Sequence, residues 1–391
     1  MKIIIGSESF APNISGVAVA AELLAKNLTK DGHKVWVFAP SQDFRNYHEK
    51  SSDGYTVVRL KSIKNPFRKG FKVTFLPKKE IFREVKKIKP DIVHLQDPTS
   101  ICSQLLKIAK RLSIPVIATN HFSLDYITSY LKLLRPFHPQ IRFILKNYLA
   151  KFYNQCDQVL CPTETVKKYL LNWGVNAPIE AISNGVDLDR FFSYSDLTDV
   201  KFKYHLPNNP IVLYAGRIDK DKKIEVLINA IPLVAESFPK AHFVIAGQGD
   251  LDTPMKKLAE KLEVQKYITW VGWIDKDSSD LEMIYQAASV FAIPSEIETQ
   301  SIVTLEAMAA GLPIVGANSG ALPELIISGK NGFLFDCGES ADLAKKIVII
   351  LKNEKVRKSM SKQSLEFVVD HEISKSYEKT QRIYSQILAK N

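Results

Sequence analysis

Glu298 and Glu306 stand in the run Ser295-Glu296-Ile297-Glu298-Thr299-Gln300-Ser301-Ile302-Val303-Thr304-Leu305-Glu306-Ala307-Met308-Ala309, with seven residues between the two carboxylates. Carboxylates accept hydrogen bonds from hydroxyls, and the free N–H groups at a helix start favour phosphate. Phe291-Ala292-Ile293-Pro294 predicts a strand just before the pair, while Leu305, Met308 and Ala309 predict the apolar face of a helix beginning near Gln300. One acid would then lie in a turn and the other about two turns into the helix. Acids flanking a phosphate site suit a ligand with both sugar hydroxyls and phosphate. On spacing alone, a solvated helix start, where Glu is common for dipole reasons, is the simpler account.

Other residues add to the chemistry. Arg217 and Lys222 occur in Gly216-Arg217-Ile218-Asp219-Lys220-Asp221-Lys222-Lys223. A guanidinium grips phosphate through two N–H groups, and a nearby ammonium adds a point charge. The two suit a diphosphate whose negative charge grows as it leaves. Lys220 and Lys223 read as charges of a solvated loop. His121, in Thr119-Asn120-His121-Phe122, reads as a substrate contact, and His94 and His33 as structural. Gly16, in Pro12-Asn13-Ile14-Ser15-Gly16-Val17-Ala18, precedes a helix and lets a ligand approach the backbone. No GxGxxG follows the first strand and no GxxxxGK[ST] occurs, which disfavours a dinucleotide cofactor and an NTPase loop. No residue cluster points to a metal.

These side chains need elements to hold them. Residues 2–6 and 34–39 are short apolar strands, and Val17 to Leu28 has helical periodicity that stops before Gly32. The pattern recurs: a strand at Asp91-Ile92-Val93-His94-Leu95, a helix from Ile101 to Leu112, and a strand at Pro115-Val116-Ile117-Ala118-Thr119. Such alternation predicts a parallel sheet covered by helices. A second series has strands at 211–215, 242–246, 268–271, 290–293 and 313–315, with helices at 223–237 and from Gln300. The expected fold is α/β, with two doubly wound Rossmann-like domains at 1–187 and 209–372. Residues 188–208 read as the linker, and a helix at 373–391 is expected to pack back on the first domain. In open parallel sheets ligands bind beyond the carboxyl ends of the strands. Gly16, His121, Arg217 and Glu298 all follow predicted strands, so two such sheets facing each other would gather them at a cleft.

Composition agrees with this organisation. A chain of 391 residues, 46% hydrophobic and 24% charged, has room for two ordinary globular domains. No apolar run approaches the roughly 20 residues that span a bilayer, and the N-terminus enters a strand with no signal-peptide pattern. Cys102, Cys156, Cys161 and Cys337 form no CxxC pair, and no His falls at metal-ligand spacing from them. They read as buried free thiols in a reducing cytosol. The net charge of +11 is uneven: residues 1–190 hold 29 Lys and Arg against 16 Asp and Glu, and the rest is slightly acidic. The first half is therefore expected to meet a partner with negative charge.

With these motifs the chain resembles the retaining glycosyltransferases of family 4, which have the GT-B fold, over nearly its whole length. The resemblance is carried by Glu298 to Glu306 with the following Ala307-Met308-Ala309-Ala310-Gly311-Leu312-Pro313, and by Arg217 with Lys222. It is carried too by the loop ending at Gly16, by Pro90-Asp91-Ile92-Val93-His94 and by Ser183-Asn184-Gly185-Val186-Asp187. It implies a nucleotide-sugar donor as substrate, with Arg217 and Lys222 on the diphosphate, Glu306 on the ribose and Glu298 on the transferred sugar. Backbone groups near Gln300, Ser301 and Ile302 would help, and His121 would contact the sugar near the reacting carbon. It further implies front-face attack, with the leaving phosphate taking the acceptor's proton, and neither metal nor cofactor. Thr299-Gln300-Ser301 replaces the glycine-rich turn of many relatives and is similar to bacterial enzymes that glucosylate diacylglycerol. Ser15-Gly16 stands where many relatives carry two glycines.

The basic half is the acceptor half in this family. Lys61 to Lys79 includes Lys64, Arg68 and Lys69 interleaved with Phe67, Phe71 and Phe75. Tyr126 to Tyr153 has no acid and carries Lys132, Arg135, Arg142 and Lys146 among many apolar residues. Basic amphipathic stretches of this kind suit an anionic membrane surface. The expectation is a cytoplasmic enzyme, peripheral on the inner face of the cell membrane, that transfers glucose from UDP-glucose to a lipid acceptor such as 1,2-diacylglycerol. The alternative is a GDP-mannose or other donor with a phosphoinositide or soluble acceptor. No nucleic-acid module is recognisable, so nucleic acid is not an expected partner.

Overall fold

A computed structural model of the chain describes every residue except 14, 66–71, 75–76, 126–135, 192–195, 276–277 and 391. The chain forms two compact units. The first is drawn mainly from Met1 to Asn184 and takes back the chain from Ser376, and the second is drawn mainly from Gly185–Lys375. The turn Leu188–Phe191 and the helix Thr198–Lys203, from the stretch read as linker, belong to the second unit.

In the first unit, short runs rich in Ile and Val enter a sheet. Among the described residues the strands lie in the order Ile179–Ala181, Gln158–Cys161, Val116–Thr119, Ile92–Leu95, Lys2–Gly6, Lys34–Pro40, Thr56–Leu60, Tyr47–Lys50. Neighbours are parallel except for the edge strand Tyr47–Lys50, which runs antiparallel to Thr56–Leu60. The two-residue period of a strand sorts the side chains into two cores. Ile4, Phe38, Val58 and Val93 share one with the helix Ser100–Arg111. Ile3, Ile5, Val35, Val37 and Ile92 share the other with the helices Gly16–Lys30 and Ile373–Lys390. Apolar side chains on both faces are what a helix-covered parallel sheet requires. The helix Gly16–Lys30 starts where the Ser15 hydroxyl accepts the Ala18 N–H at 3.1 Å. A second glycine at that place would have no oxygen to cap with.

The second unit's sheet is parallel throughout the described residues, in the order Ile268–Gly272, His242–Ala246, Ile211–Ala215, Val290–Ile293, Ile314–Ala317, Gly332–Phe335. Strand order reverses between Ile211–Ala215 and Val290–Ile293, which opens a crevice at their carboxyl ends. The helix expected near Gln300 spans Ile302–Ala309. Gln300 and Ser301 therefore precede it, and Glu306 is its fifth residue, a little over one turn in rather than two.

The helix Ile373–Lys390 is anchored in the first unit by Tyr384, whose hydroxyl lies 2.6 Å from His94 Nδ1, while His94 Nε2 lies 2.7 Å from Thr119 Oγ1. Burial, helped by neighbouring His121, holds the His94 pKa down to about 3, so the ring is neutral and both of its nitrogens are used. Tyr384→Phe is expected to destabilise the first unit by about 1–3 kcal/mol, because it strands a buried polar atom. Thermal melts read this directly, and a transition indistinguishable from wild type would show the contact to be idle.

Candidate active site

The crevice of the second unit is bordered by two loops. One runs from Gly216 through the turn Lys220–Lys222, and the other from Pro294 to Ser301. They are stitched at the Asp221 carbonyl, which accepts the Glu296 N–H at 3.3 Å and the Ser295 hydroxyl at 3.2 Å. The first loop is pinned to the turn after His242–Ala246 by Gly216 N–H donating to Ala246 O at 2.9 Å. Gly247 in that turn has φ of 144°, and a Cβ there would stand 1.8 Å from the Gly216 oxygen, so only glycine fits. Gly320 plays the same part beside Glu298. A Cβ on it would meet the Glu298 backbone at 2.7 Å, and the adjacent Ala321 N–H donates to Glu298 O at 3.0 Å.

Arg217, Lys222 and Glu298 come together between these loops. Lys222 Nζ lies 2.7 Å from Glu298 Oε1 and 3.6 Å from Asp221 Oδ2. The Arg217 guanidinium is bonded to the Asp219 carboxylate and lies 3.6 Å from Asp221 Oδ2. Asp221 is only 3% exposed, and Glu298 is also buried. Burial alone would lower the Lys222 pKa, but the charges of Glu298 and Asp221 and the bond to Glu298 outweigh it, so the value is raised and the ammonium stays charged. The Tyr214 hydroxyl supports the loop by donating to Arg217 O at 2.7 Å. Asp219 and Asp221 were not singled out from the sequence. Their signal is the local alternation, which gives each cation an acid within four residues.

Glu306 has a different environment. Its Oε2 accepts from the Tyr285 hydroxyl at 2.9 Å, and that hydroxyl also lies 3.2 Å from Val303 O. Burial raises its carboxyl to about 7, with the Tyr285 bond and Arg190 opposing and Glu282 adding to the rise. Gln300 and Ser301 are buried just ahead of the helix. The Ile302 and Val303 N–H groups fall in its first turn, where no intrahelical acceptor is available. The two acids singled out at the start are thus not one pair. One is held by an ammonium and the other by a phenol. Chemically, the site offers two cations for a diphosphate, two carboxylates for hydroxyls, and a helix start for an anion.

In the first unit, Gly16 is the first residue of its helix. His121 Nε2 lies 3.0 Å from Gln96 Oε1, and burial lowers its pKa to about 4, so it is neutral at pH 7. Sequence reasoning missed the acids just after two central strands. Glu8 N–H donates to Asp97 Oδ2 at 2.6 Å, and the Glu8 carboxylate accepts the Thr74 N–H at 2.6 Å and the Ile101 N–H at 3.1 Å. Burial raises the pKa of both acids. Their signal was an acid at the end of an apolar strand.

Of the surface residues, Lys64 is exposed on the short strand Ser62–Lys64. Arg142 and Lys146 sit on the acid-free helix His138–Tyr153. That helix buries Leu149, Phe152 and Tyr153, but leaves Phe143 66% and Ile144 64% exposed. Arg68, Lys69, Lys132 and Arg135 lie outside the described residues. Cys102, Cys156 and Cys161 are buried free thiols, whereas Cys337 is exposed, contrary to the expectation for it. Its place directly after the edge strand Gly332–Phe335 explains the difference. Among the described residues no helix is long and apolar enough to cross a membrane.

Two family descriptions match the chain. Residues 14–190 match Glycosyltransferase Family 4, and residues 198–367 match Glycosyl transferases group 1. The alpha-monoglucosyldiacylglycerol synthase of Acholeplasma laidlawii is 29% identical over 373 residues, covering 93% of this chain and 92% of that protein. A GDP-mannose-dependent alpha-mannosyltransferase of Corynebacterium glutamicum is 26% identical over 340 residues, covering 86% and 77%. The crystal structure of Anabaena HepE in complex with UDP-glucose superposes with a TM-score of 0.79 at 18% identity, covering 99% of this chain and 100% of that one. Joined to two Rossmann-like sheets and the motifs at their strand ends, these matches show that the chain belongs to glycosyltransferase family 4 and has the GT-B fold.

Proposed function

We propose that the protein is a retaining hexosyltransferase that moves glucose from UDP-glucose to the hydroxyl of a membrane lipid such as 1,2-diacylglycerol. The observation that carries the reading is the gathering of Arg217, Lys222 and Glu298 at one crevice, beside the start of the helix Ile302–Ala309. Negative charge grows on the diphosphate as it leaves, and Arg217 and Lys222 meet it there without a metal. Asp219 and Asp221 keep the two cations in place. Glu306 accepts the ribose hydroxyls and Glu298 those of the transferred sugar, with Gln300, Ser301 and Ile302 completing the donor contacts. His121, neutral, contacts the sugar near the reacting carbon, and Gly16 leaves room for the donor. The acceptor attacks from the face the diphosphate leaves, and a departing phosphate oxygen takes its proton, so no covalent nucleophile and no cofactor are needed.

The acceptor half is supported by the helix His138–Tyr153, acid-free and with Phe143 and Ile144 exposed beside Arg142, which suits an anionic membrane surface. Similarity to a monoglucosyldiacylglycerol synthase supports a lipid hydroxyl. The enzyme would then work peripherally on the cytoplasmic face of the cell membrane. Similarity to a mannosyltransferase supports a second reading, with GDP-mannose as donor and a phosphoinositide or soluble acceptor. Offering UDP-glucose, UDP-galactose and GDP-mannose with diacylglycerol liposomes tests both. A lipid product from UDP-glucose is expected, a product from GDP-mannose alone would select the second reading, and no lipid product from any donor would reject the acceptor.

Arg217→Ala is expected to lower kcat by about 10²–10³ with a smaller change in KM, because it acts on charge that peaks in the transition state. Steady-state kinetics check this, and near-wild-type rates would remove Arg217 from the site. Glu306→Gln is expected to raise the donor KM at least about tenfold. It should also stabilise the fold at pH 8. A carboxyl raised from 4.5 to about 7 in the folded state costs stability as pH climbs through that window, here on the order of 1–3 kcal/mol. Melts at pH 8 and near pH 4.5 should therefore show the gain at the first and not at the second. Phe143→Ser with Ile144→Ser is expected to cut cosedimentation with anionic liposomes several-fold. Wild type and variant sedimenting alike would discard this helix as the membrane face.

A further inference from the structure

The turn Leu188–Phe191 and the helix Asp280–Ala287 of the second unit meet through side-chain contacts. The Arg190 guanidinium is bonded to the Glu282 carboxylate. The rings of Phe191 and Tyr285 pack edge-on with centroids 5.8 Å apart, and the Gln286 amide donates to Phe191 O at 3.0 Å. One helical turn beyond Glu282, Tyr285 donates to Glu306. Glu282 is only 2% exposed, and its second oxygen is buried with no hydrogen-bond partner among the described residues. Arg190 is its ionic partner among the described residues.

We infer that Arg190 is a positioning residue of the donor site: by clamping Glu282 it fixes the helix Asp280–Ala287, and with it the contact between Tyr285 and Glu306. The inference rests on the reading of Glu306 as a donor ligand. The groups that act on Glu306 are Tyr285 and Glu282 from the helix and Arg190 from the turn. Glu282 repels the charged form of Glu306, and Arg190 favours it. Loss of the guanidinium would leave Glu282 as an uncompensated buried anion beside a second one. The helix would lose one of its contacts with the turn and Glu306 would take up a proton more readily. A neutral carboxyl accepts hydroxyl hydrogen bonds less well than a carboxylate. Donor affinity, present above the Glu306 pKa and lost as pH falls through it, would then begin to fail at higher pH.

The test measures UDP-glucose KM, kcat and UDP affinity between about pH 5.5 and 9. The variants are Arg190→Met, Arg190→Lys, Glu282→Gln, Arg190→Met with Glu282→Gln, and Glu306→Gln. Arg190→Met is expected to raise KM about tenfold near pH 7 while kcat changes less than about threefold. Its acidic limb of affinity should move to higher pH by about half a unit or more. Arg190→Lys should restore most of the affinity, and adding Glu282→Gln to Arg190→Met should bring the limb back down. An Arg190→Met enzyme that melts like wild type and keeps its KM and acidic limb, while Glu306→Gln weakens donor binding, overturns the inference. Donor binding untouched in Glu306→Gln would instead remove the reading of Glu306 itself. Should Arg190→Met not fold, Glu282→Gln decides: its limb is expected to move to lower pH, and an unmoved limb overturns the inference.

Discussion

A largely enclosed ammonium must keep its partners, and Lys222, with its side chain 17% exposed, is the one whose partners hold the loops of the second unit's site together. Leaving such a charge unpaired would cost several kcal/mol. Its two acids come from different places in the chain. Asp221 follows the strand Ile211–Ala215 and Glu298 follows Val290–Ile293, and these strands are neighbours only because the order of the sheet reverses between them. Topology thus brings the loops together and the ion pair fixes them. Arg217 shares Asp221, and Gly247 and Gly320 let backbone segments close in where a side chain would collide. The roles given to Arg217, Lys222 and Glu298 depend on that arrangement.

Much of the fold was legible because a parallel sheet makes its strands apolar on both faces. Ile3-Ile4-Ile5 announces itself, and alternate residues of that run do feed different cores. Strand order was not legible, because pairing leaves no local trace. The bond from Lys222 to Glu298 spans 76 positions. Arg217, Lys222 and Glu298 could still be found, since a polar residue of the right type just after an apolar strand is a local pattern. Asp221 was not singled out, because Ser295, which its carbonyl meets, lies 74 positions away. Glu306 was placed too deep because polar residues ahead of a helix look the same as its first turn. Arg190 was hidden in a stretch whose composition reads as linker, and its buried partner Glu282 lies 92 positions away.

Two acids of one motif have been given different surroundings. Glu298 is bonded to the Lys222 ammonium. Glu306 has a phenol as its direct partner and another acid nearby, and its carboxyl is held near neutrality. Such a group is a burden on the fold, since it resists the ionised state that hydroxyl binding wants. Sites of this kind are where a protein trades stability for function.

His94 and Tyr384 are 290 positions apart and belong to the same unit. As the chain is synthesised, the face of the first sheet bearing Ile3, Ile5 and Val35 must wait for residues beyond Ser376 before it is fully covered. The second unit, drawn mainly from Gly185–Lys375, is complete before that. The unit that begins first is finished last. A parallel sheet closed by so distant a segment is slow to complete, and its uncovered apolar face is open to misassembly meanwhile. The nascent chain just short of the helix Ile373–Lys390 is therefore the species in most need of protection.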